Sequence, residues 1–406
     1  MGAVYLDNNA TTSVDPEVLT AMLPYFRDQF GNASSAHVFG AAASPAIREA
    51  RRAVRELLGA ALDQEIIFTS GGTEADNTAI LSALDHDPGR DEVVVSAVEH
   101  PAVLALCAHL ERPHLEHPHL EHHRGVRVHR VPVDAKGRLD LAAYRAAIGP
   151  RTAIVSIMWA NNETGTLFPV ADLAALAHAA GALFHTDAVQ AAGKLPIELK
   201  ATRIDMLSLS AHKLHGPKGV GALYVRKGTP LHPLIRGGQQ ERGRRGGTEN
   251  VPGIVGLGQA ARIAGLRMGD DLKRLGALRD RLEQGILQRV PDCAVTGDPT
   301  QRLANTSNIV FNRAEAEPIL TGLDREGIAV SSGSACTSGS MEPSHVLRAM
   351  GVPFTAAHGA VRFSFSRNNV DGDVDRVLAV LPRIVERARA VSIFGGDGAM
   401  SPAAPG

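Results

Sequence analysis

The amino-acid sequence predicts an α/β fold with a mostly parallel, seven-stranded sheet and a smaller α+β domain beside it. Three observations predict it. Short apolar runs alternate with amphipathic stretches between residues 60 and 225. Those runs are apolar almost throughout, as strands covered on both faces must be. Gly-rich turns follow several of them, where a strand feeds into a helix.

In chain order, the pattern gives a strand over 65–69, a helix over 73–84, a strand over 92–96 and a helix from Pro101. Strands over 126–131, 153–158, 182–185, 206–209 and 221–225 follow, with helices over 141–148 and 170–180 between them. In such sheets, ligands gather beyond the carboxyl ends of the strands. A long helical stretch over 251–290 carries Leu266, Leu272, Leu275, Leu278, Leu282 and Ile286 at helical spacing. Beyond it lie strands over 307–311, 328–331 and 360–364 and helices over 316–326, 344–350 and 371–390. The expected division is a large domain over 15–260 and a small domain formed by 1–14 and 261–394. A Gly/Pro/Ala-rich flexible tail over 395–406 completes the chain.

Composition narrows the function. Of 406 residues, 42 are Lys or Arg and 43 Asp or Glu, so the net charge of −1 offers no field for nucleic acid or a membrane surface. No apolar run approaches the ~20 residues of a membrane span. The first residues show no basic-then-apolar leader, and the three cysteines, Cys107, Cys293 and Cys336, form no C-x-x-C pair. A reducing, cytoplasmic setting is expected. Residues 109–123 hold three His-Leu-Glu copies and six histidines. Pro113 and Pro118 keep this run from presenting ligands along one helix, so it is read as a solvated extension and no metal site is expected.

The central chemical signal is Leu207-Ser-Leu-Ser-Ala-His-Lys213-Leu-His-Gly-Pro-Lys-Gly219, an apolar strand running into a Gly/Pro-rich turn. A lysine there stands on a rigid element at the ligand edge, where desolvation favours the free amine needed for a Schiff base. Phe184-His-Thr-Asp187-Ala-Val-Gln190 puts a carboxylate at the end of another strand. Thr69-Ser-Gly-Gly-Thr73-Glu-Ala-Asp reads as strand, turn and helix N-terminus, an anion cradle. Lysine, acid and cradle are the three parts that pyridoxal 5′-phosphate requires. Taken singly, the acid could be an N-cap, Thr73 a capping residue and the lysine a surface group. Gly256-Leu-Gly258-Gln-Ala-Ala261 lies inside a helical pattern and is read as helix packing, not as a dinucleotide fingerprint. Val330-Ser-Ser-Gly-Ser-Ala-Cys336-Thr-Ser-Gly-Ser340 surrounds a thiol with small residues, which predicts an accessible, mobile loop and a candidate nucleophile. Cys107 and Cys293 sit among apolar neighbours and are read as structural.

These motifs, with Tyr5-Leu-Asp-Asn-Asn-Ala-Thr-Thr12, Glu99-His-Pro101, Met158-Trp-Ala-Asn-Asn-Glu-Thr-Gly165, residues 242–250 and Thr355-Ala-Ala-His-Gly-Ala-Val-Arg-Phe363, resemble the cysteine desulfurases of the class V aminotransferase group. Both the nitrogen-fixation (NifS) and housekeeping (IscS) types are similar, the nitrogen-fixation branch more so, and the likeness runs from Tyr5 to about Arg376. The resemblance implies a fold type I pyridoxal-phosphate homodimer that converts L-cysteine to L-alanine and passes the sulfur to an iron–sulfur scaffold. It implies that Lys213 carries the cofactor, Asp187 holds the ring nitrogen, Gln190 meets the ring hydroxyl and His100 lies against the ring face. Gly72, Thr73, Ser210 and His212 would hold the phosphate with Thr248 of the other subunit. Asn162 and Arg362 would bind the substrate carboxylate, and Cys336 would accept the sulfur. Ala33, Ala75 and Ala211 stand where relatives usually have proline, serine and glycine; none removes a group to which chemistry is assigned, though Ala211 bears on the backbone beside Lys213. A transaminase or selenocysteine lyase of the same group is the rival enzyme reading; a metal-buffering protein built on residues 109–123 is the non-enzyme one.

Overall fold

The structure is a computed structural model that describes residues 2–112, 125–332 and 342–394. The chain opens with β1 (Val4–Tyr5), α1 (Pro16–Met22), α2 (Pro24–Arg27) and α3 (Val38–Leu57). Next come β2 (Ile66–Thr69), α4 (Gly72–His86), β3 (Glu92–Ser96), α5 (Pro101–Leu110), β4 (Arg127–Val131), α6 (Leu141–Ala147) and β5 (Thr152–Ser156). The larger part closes with α7 (Val170–Ala179), β6 (Leu183–Asp187), β7 (Met206–Ser210), β8 (Gly221–Val225) and the start of α8 (Val251–Arg289). The remainder is β9 (Cys293–Thr296), β10 (Thr306–Phe311), α9 (Ala316–Arg325), β11 (Ile328–Ala329), β12 (Ser331–Ser332), α10 (His345–Ala349), α11 (Phe354–His358), β13 (Ala360–Ser364) and α12 (Asp371–Val391).

Seven strands form the main sheet in the order β2-β8-β7-β6-β5-β3-β4. All neighbours are parallel except β8, which runs antiparallel to both β2 and β7. This explains the near-continuous apolar strands. Val94, Leu207, Leu209, Ala222 and Tyr224 pack into one core on one face, while Val93, Val95, Met206, Leu223 and Val225 pack into another on the opposite face. Alternate side chains of one strand thus enter different cores, and both faces exclude water.

A further core, including Val4, Leu6, Leu282, Phe311, Phe363 and Leu381, lies around the four-stranded antiparallel sheet β12-β13-β10-β9. Helix α8 serves two cores. Its first half buries Ile254, Leu257 and Ala261 against the main sheet's helices, and its second half buries Leu275, Leu278, Leu282 and Ile286 in the smaller core. Leu266, between them, is 81% exposed. The Gly256–Gly258 segment does lie within α8, and a Cβ on Gly258 would fall 2.4 Å from the Cα of Ala50 on α3. It is a packing glycine, as its place in a helical pattern suggested.

Two expectations change. The strand predicted over 328–331 is two strands in two sheets: β11 pairs with β1, and β12 pairs with β13. Helix α3 had no counterpart in the prediction, because exposed Pro45 interrupts its pattern. Buried Ala43, Ile47, Ala50, Val54 and Leu57 nonetheless fall at spacings of three and four on one face. Among the described residues no helix is long and apolar enough to cross a membrane.

Candidate active site

Since β2 and β7 both oppose β8, they run in the same direction, so the carboxyl ends of β2, β3, β5, β6 and β7 meet at one edge. At that edge is a cavity of about 310 Å3, within the usual range for small-molecule sites. Its walls include Gly72, Thr73, His100, Asn162, Asp187, Gln190, Ser210, His212, Lys213 and Arg362. The fold therefore gathers these residues, which are spread over nearly 300 positions of sequence.

Lys213 ends a 3-10 turn that follows β7 directly, and its Nζ donates to the carbonyl oxygens of Asn9 and of Ala10, the latter at 2.7 Å. Asp187 is the last residue of β6 and is 7% exposed; its Oδ1 accepts the Val189 N–H at 2.8 Å. Burial pushes its carboxyl up from the ordinary range, against the opposing pull of His100, the Val189 N–H and Lys213. A buried carboxylate in that position calls for a cationic partner. His100 caps α5, accepting the Ala102 N–H on Nδ1 at 3.1 Å. Its proton is therefore on Nε2, and burial lowers its pKa, so a neutral ring faces the site.

Helix α4 starts at Gly72 with no side-chain cap, which leaves its first N–H groups for an anion. A Cβ on Gly72 would lie 2.8 Å from Val189 Cγ2, so glycine keeps the cradle open. Burial pushes His212 down to about 4, with Lys213, Lys218 and Lys194 adding to the effect. It enters the cradle uncharged, and its Nδ1 lies 3.1 Å from Thr11 Oγ1. Arg362 on β13 donates to the Asn162 carbonyl at 3.0 Å and to Asp7 at 2.8 Å, and its buried Nε has no partner among the described residues. The adjacent Asn161 does structural work, its Oδ1 accepting the N–H groups of Glu163 and Thr164.

Thr248 is exposed and does not line its own chain's cavity. Cys336, like residues 113–123 of the His-rich run, lies outside the described residues. The other two thiols are poor nucleophiles: burial pushes Cys107 up to about 12 and raises Cys293. Two of the three arginines in residues 242–245 serve the fold. Arg245 pairs with Glu74 at 2.9 Å and Arg244 donates to the Gln64 carbonyl at 2.7 Å.

The sequence reading assigned no role to Asn9, Asp7, Lys194, Glu99 or Glu163. Asn9 joins the two parts of the molecule: its Nδ2 donates to Thr306 Oγ1 at 2.8 Å, and its carbonyl accepts from Gln190 at 2.9 Å and from Lys213. The Asn-Asn pair following a short strand was the available signal. Glu99 accepts from Ser96 Oγ at 2.5 Å and from the Met158 N–H at 3.0 Å, and burial pushes it up to about 8. Glu163, bound by Ser344, is pushed up to about 7, also by burial.

A carboxyl whose pKa rises on folding gives stability that is complete below its unfolded value and lost as pH climbs through the folded one. For Glu163 that window runs from 4.5 to about 7. Glu163→Gln should match the parent's stability below pH 4.5 and exceed it at pH 8 by about 3 kcal/mol. Denaturant melts at both pH values check this, and parallel curves would contradict it.

The chain is similar to known proteins over nearly its whole length. The family profile described as Aminotransferase class-V matches residues 4–377. A "Cysteine desulfurase" of Gluconacetobacter diazotrophicus is 64% identical over 98% of this chain and 97% of its own length. "Cysteine desulfurase NifS" of Azotobacter vinelandii is 57% identical over 98% of this chain and 96% of its own. A solved structure titled "NIFS-LIKE PROTEIN" superposes with a TM-score of 0.85 at 37% identity, covering 95% of this chain and 99% of that one.

Proposed function

The chain belongs to the class V aminotransferase family, and from that premise we propose that its strand-edge cavity holds pyridoxal 5′-phosphate through Lys213, Asp187 and the N-terminus of α4. The activity is that of a cysteine desulfurase. One observation carries the site assignment: an amine, a buried carboxylate and an uncapped helix N-terminus from three separate strand ends converge on one cavity. The donor set suits the cofactor's chemistry, with Lys213 for the aldehyde, Asp187 for the ring nitrogen, and Gly72, Thr73, Ser210 and His212 for the phosphate.

When bound, the cofactor supplies an electron sink that makes the substrate α-proton removable. The rest falls to the chain. Arg362 and Asn162 fix the substrate carboxylate, the unpartnered Nε of Arg362 being a donor still to be satisfied. Lys213, as a free amine, would take the substrate α-proton and hold it for its return. The neutral ring of His100, which lines the cavity, would lie against the bound ring and keep water from it. The thiolate of Cys336 then attacks the substrate Sγ. The new S–S bond forms as the Cβ–Sγ bond breaks, and that bond's electron pair stays with the three-carbon fragment, which takes up a proton and leaves as L-alanine. The Cys336 persulfide carries the sulfur to an acceptor.

The reading includes a homodimer, with the partner's Thr248 reaching the phosphate. Thr248 stands out from its own chain, and Phe26, Phe30, Val38 and Phe39 form an apolar surface at the start of the fold, with Phe30 68% and Val38 77% exposed. It also includes a cytoplasmic location, where a catalytic thiol stays reduced. The proposed sulfur acceptor is an iron–sulfur scaffold serving nitrogenase, supported by the NifS relative.

The deciding experiment is the visible spectrum of the cofactor-loaded protein before and after L-cysteine, with amino-acid analysis of the products. A yellow protein whose band changes as alanine and sulfane sulfur accumulate is expected. A keto acid in place of alanine would make it a transaminase.

A further inference from the structure

Lys194 is a side chain that the mechanism above does not use. It follows Asp187 and Gln190 in a tight turn that reverses at Gly193, whose φ of 72° and 2.6 Å Cβ approach to Leu214 admit only glycine. The reversal brings Lys194 Nζ to 2.7 Å from Gln190 Oε1 and 3.5 Å from Asn9 Oδ1. Among the described residues no carboxylate pairs with it. The titratable and charged groups around it are Lys213 and the neutral His212 on the turn after β7, the neutral His215 beyond them, Arg362 on β13, Arg367 after β13 and Asp271 on α8. Asp7, the nearest acid to Arg362, is taken up by that guanidinium.

We propose that Lys194 is a positioning residue that fixes which end of the Gln190 amide faces the cofactor, and thereby sets the proton affinity of the lysine-bound cofactor. This rests on the reading that Lys213 carries pyridoxal phosphate. A glutamine amide has an acceptor end and a donor end, and its neighbours decide which way it points. Here both neighbours agree. As an ammonium Lys194 has only protons to give and takes Oε1, while the Asn9 carbonyl, which can only accept in either state of Lys194, takes one Nε2 proton at 2.9 Å. The remaining Nε2 proton is what Gln190 offers to the cavity it lines. Donated to the cofactor's ring oxygen, it stabilises negative charge there. That charge is least compensated when the neighbouring lysine-derived nitrogen has lost its proton, so the bond favours the deprotonated form. Burial, with Lys213 and Arg362 second, pushes the Lys194 amine down to about 7, yet either of its forms retains N–H donors for Oε1.

The test is a pH titration of the visible absorbance of the loaded, substrate-free protein. Lys194→Met should raise the titration midpoint by about one unit, a tenfold gain in proton affinity. Lys194→Gln, which keeps an N–H donor without charge, should stay near the parent. In a Gln190→Leu background, Lys194→Met should add no further shift. An unchanged midpoint in Lys194→Met, a full shift in Lys194→Gln, or an additive shift in the double variant would each overturn the proposal. A parent protein with no pH-dependent visible band would instead overturn the cofactor reading itself.

Discussion

Lys213→Ala is expected to be purified folded and without the visible absorbance of a lysine-bound cofactor, and to release alanine from L-cysteine about 10⁴-fold more slowly than the parent. The size follows from two roles lost at once, since in the proposed mechanism one amine both carries the cofactor and moves the α-proton. The neighbours do not substitute. Lys194 is held on Gln190 and Asn9, and Lys218 is one of the charges that depress His212 at the phosphate end. Lys213 also donates to the Asn9 and Ala10 carbonyls; the Asn9 carbonyl keeps its bond from Gln190, so the removal leaves the Ala10 carbonyl to lose a donor at about 1 kcal/mol. That loss is small against the core, so far-ultraviolet circular dichroism should be unchanged. A Lys213→Ala protein that keeps the band after dialysis would remove this residue from the site.

Cys336→Ala separates the second half of the reaction from the first. The cofactor colour and its change on adding L-cysteine should persist, because no group that holds the ring or moves the α-proton is touched. Sulfide and alanine release should fall by about 10³-fold or more, since no other nucleophile reaches the substrate sulfur. Cys107 cannot replace it: its thiol is buried in the core on one face of the sheet and is pushed up to about 12. Normal turnover in Cys336→Ala would eliminate the persulfide step while leaving the cofactor assignment standing, so the two variants test separate claims.

The site was legible where its chemistry follows a strand. Lys213, Asp187 and Thr73 each stand within a few residues of an apolar run, and a run of five residues buried on both faces announces its own end. The readings that failed were of another kind. Residues 328–331 form one apolar-leaning segment, yet Ile328 pairs with Val4 while Ser331 pairs with Arg362. No property of the segment itself divides it; its two partners do. The resemblance offered Arg362 as a carboxylate binder and that reading stands as proposed, but its ion pair to Asp7 could be seen only once β13 lay beside the chain's first residues.

By itself the sequence determined the alternation of strands and helices, the strand ends where catalytic groups stand, and the family they resemble, because periodicity and strand–turn–helix junctions are local properties. The tertiary structure decided which distant groups share a proton or a hydrogen bond. Asn9 meets Gln190 across 181 residues and Lys213 across 204, and Lys194 orients an amide whose other anchor is that same Asn9. No local pattern encodes those pairings: they arise when the packing of apolar surfaces brings the chain's first turn against the carboxyl edge of the sheet, and the polar groups trapped there must find partners with one another.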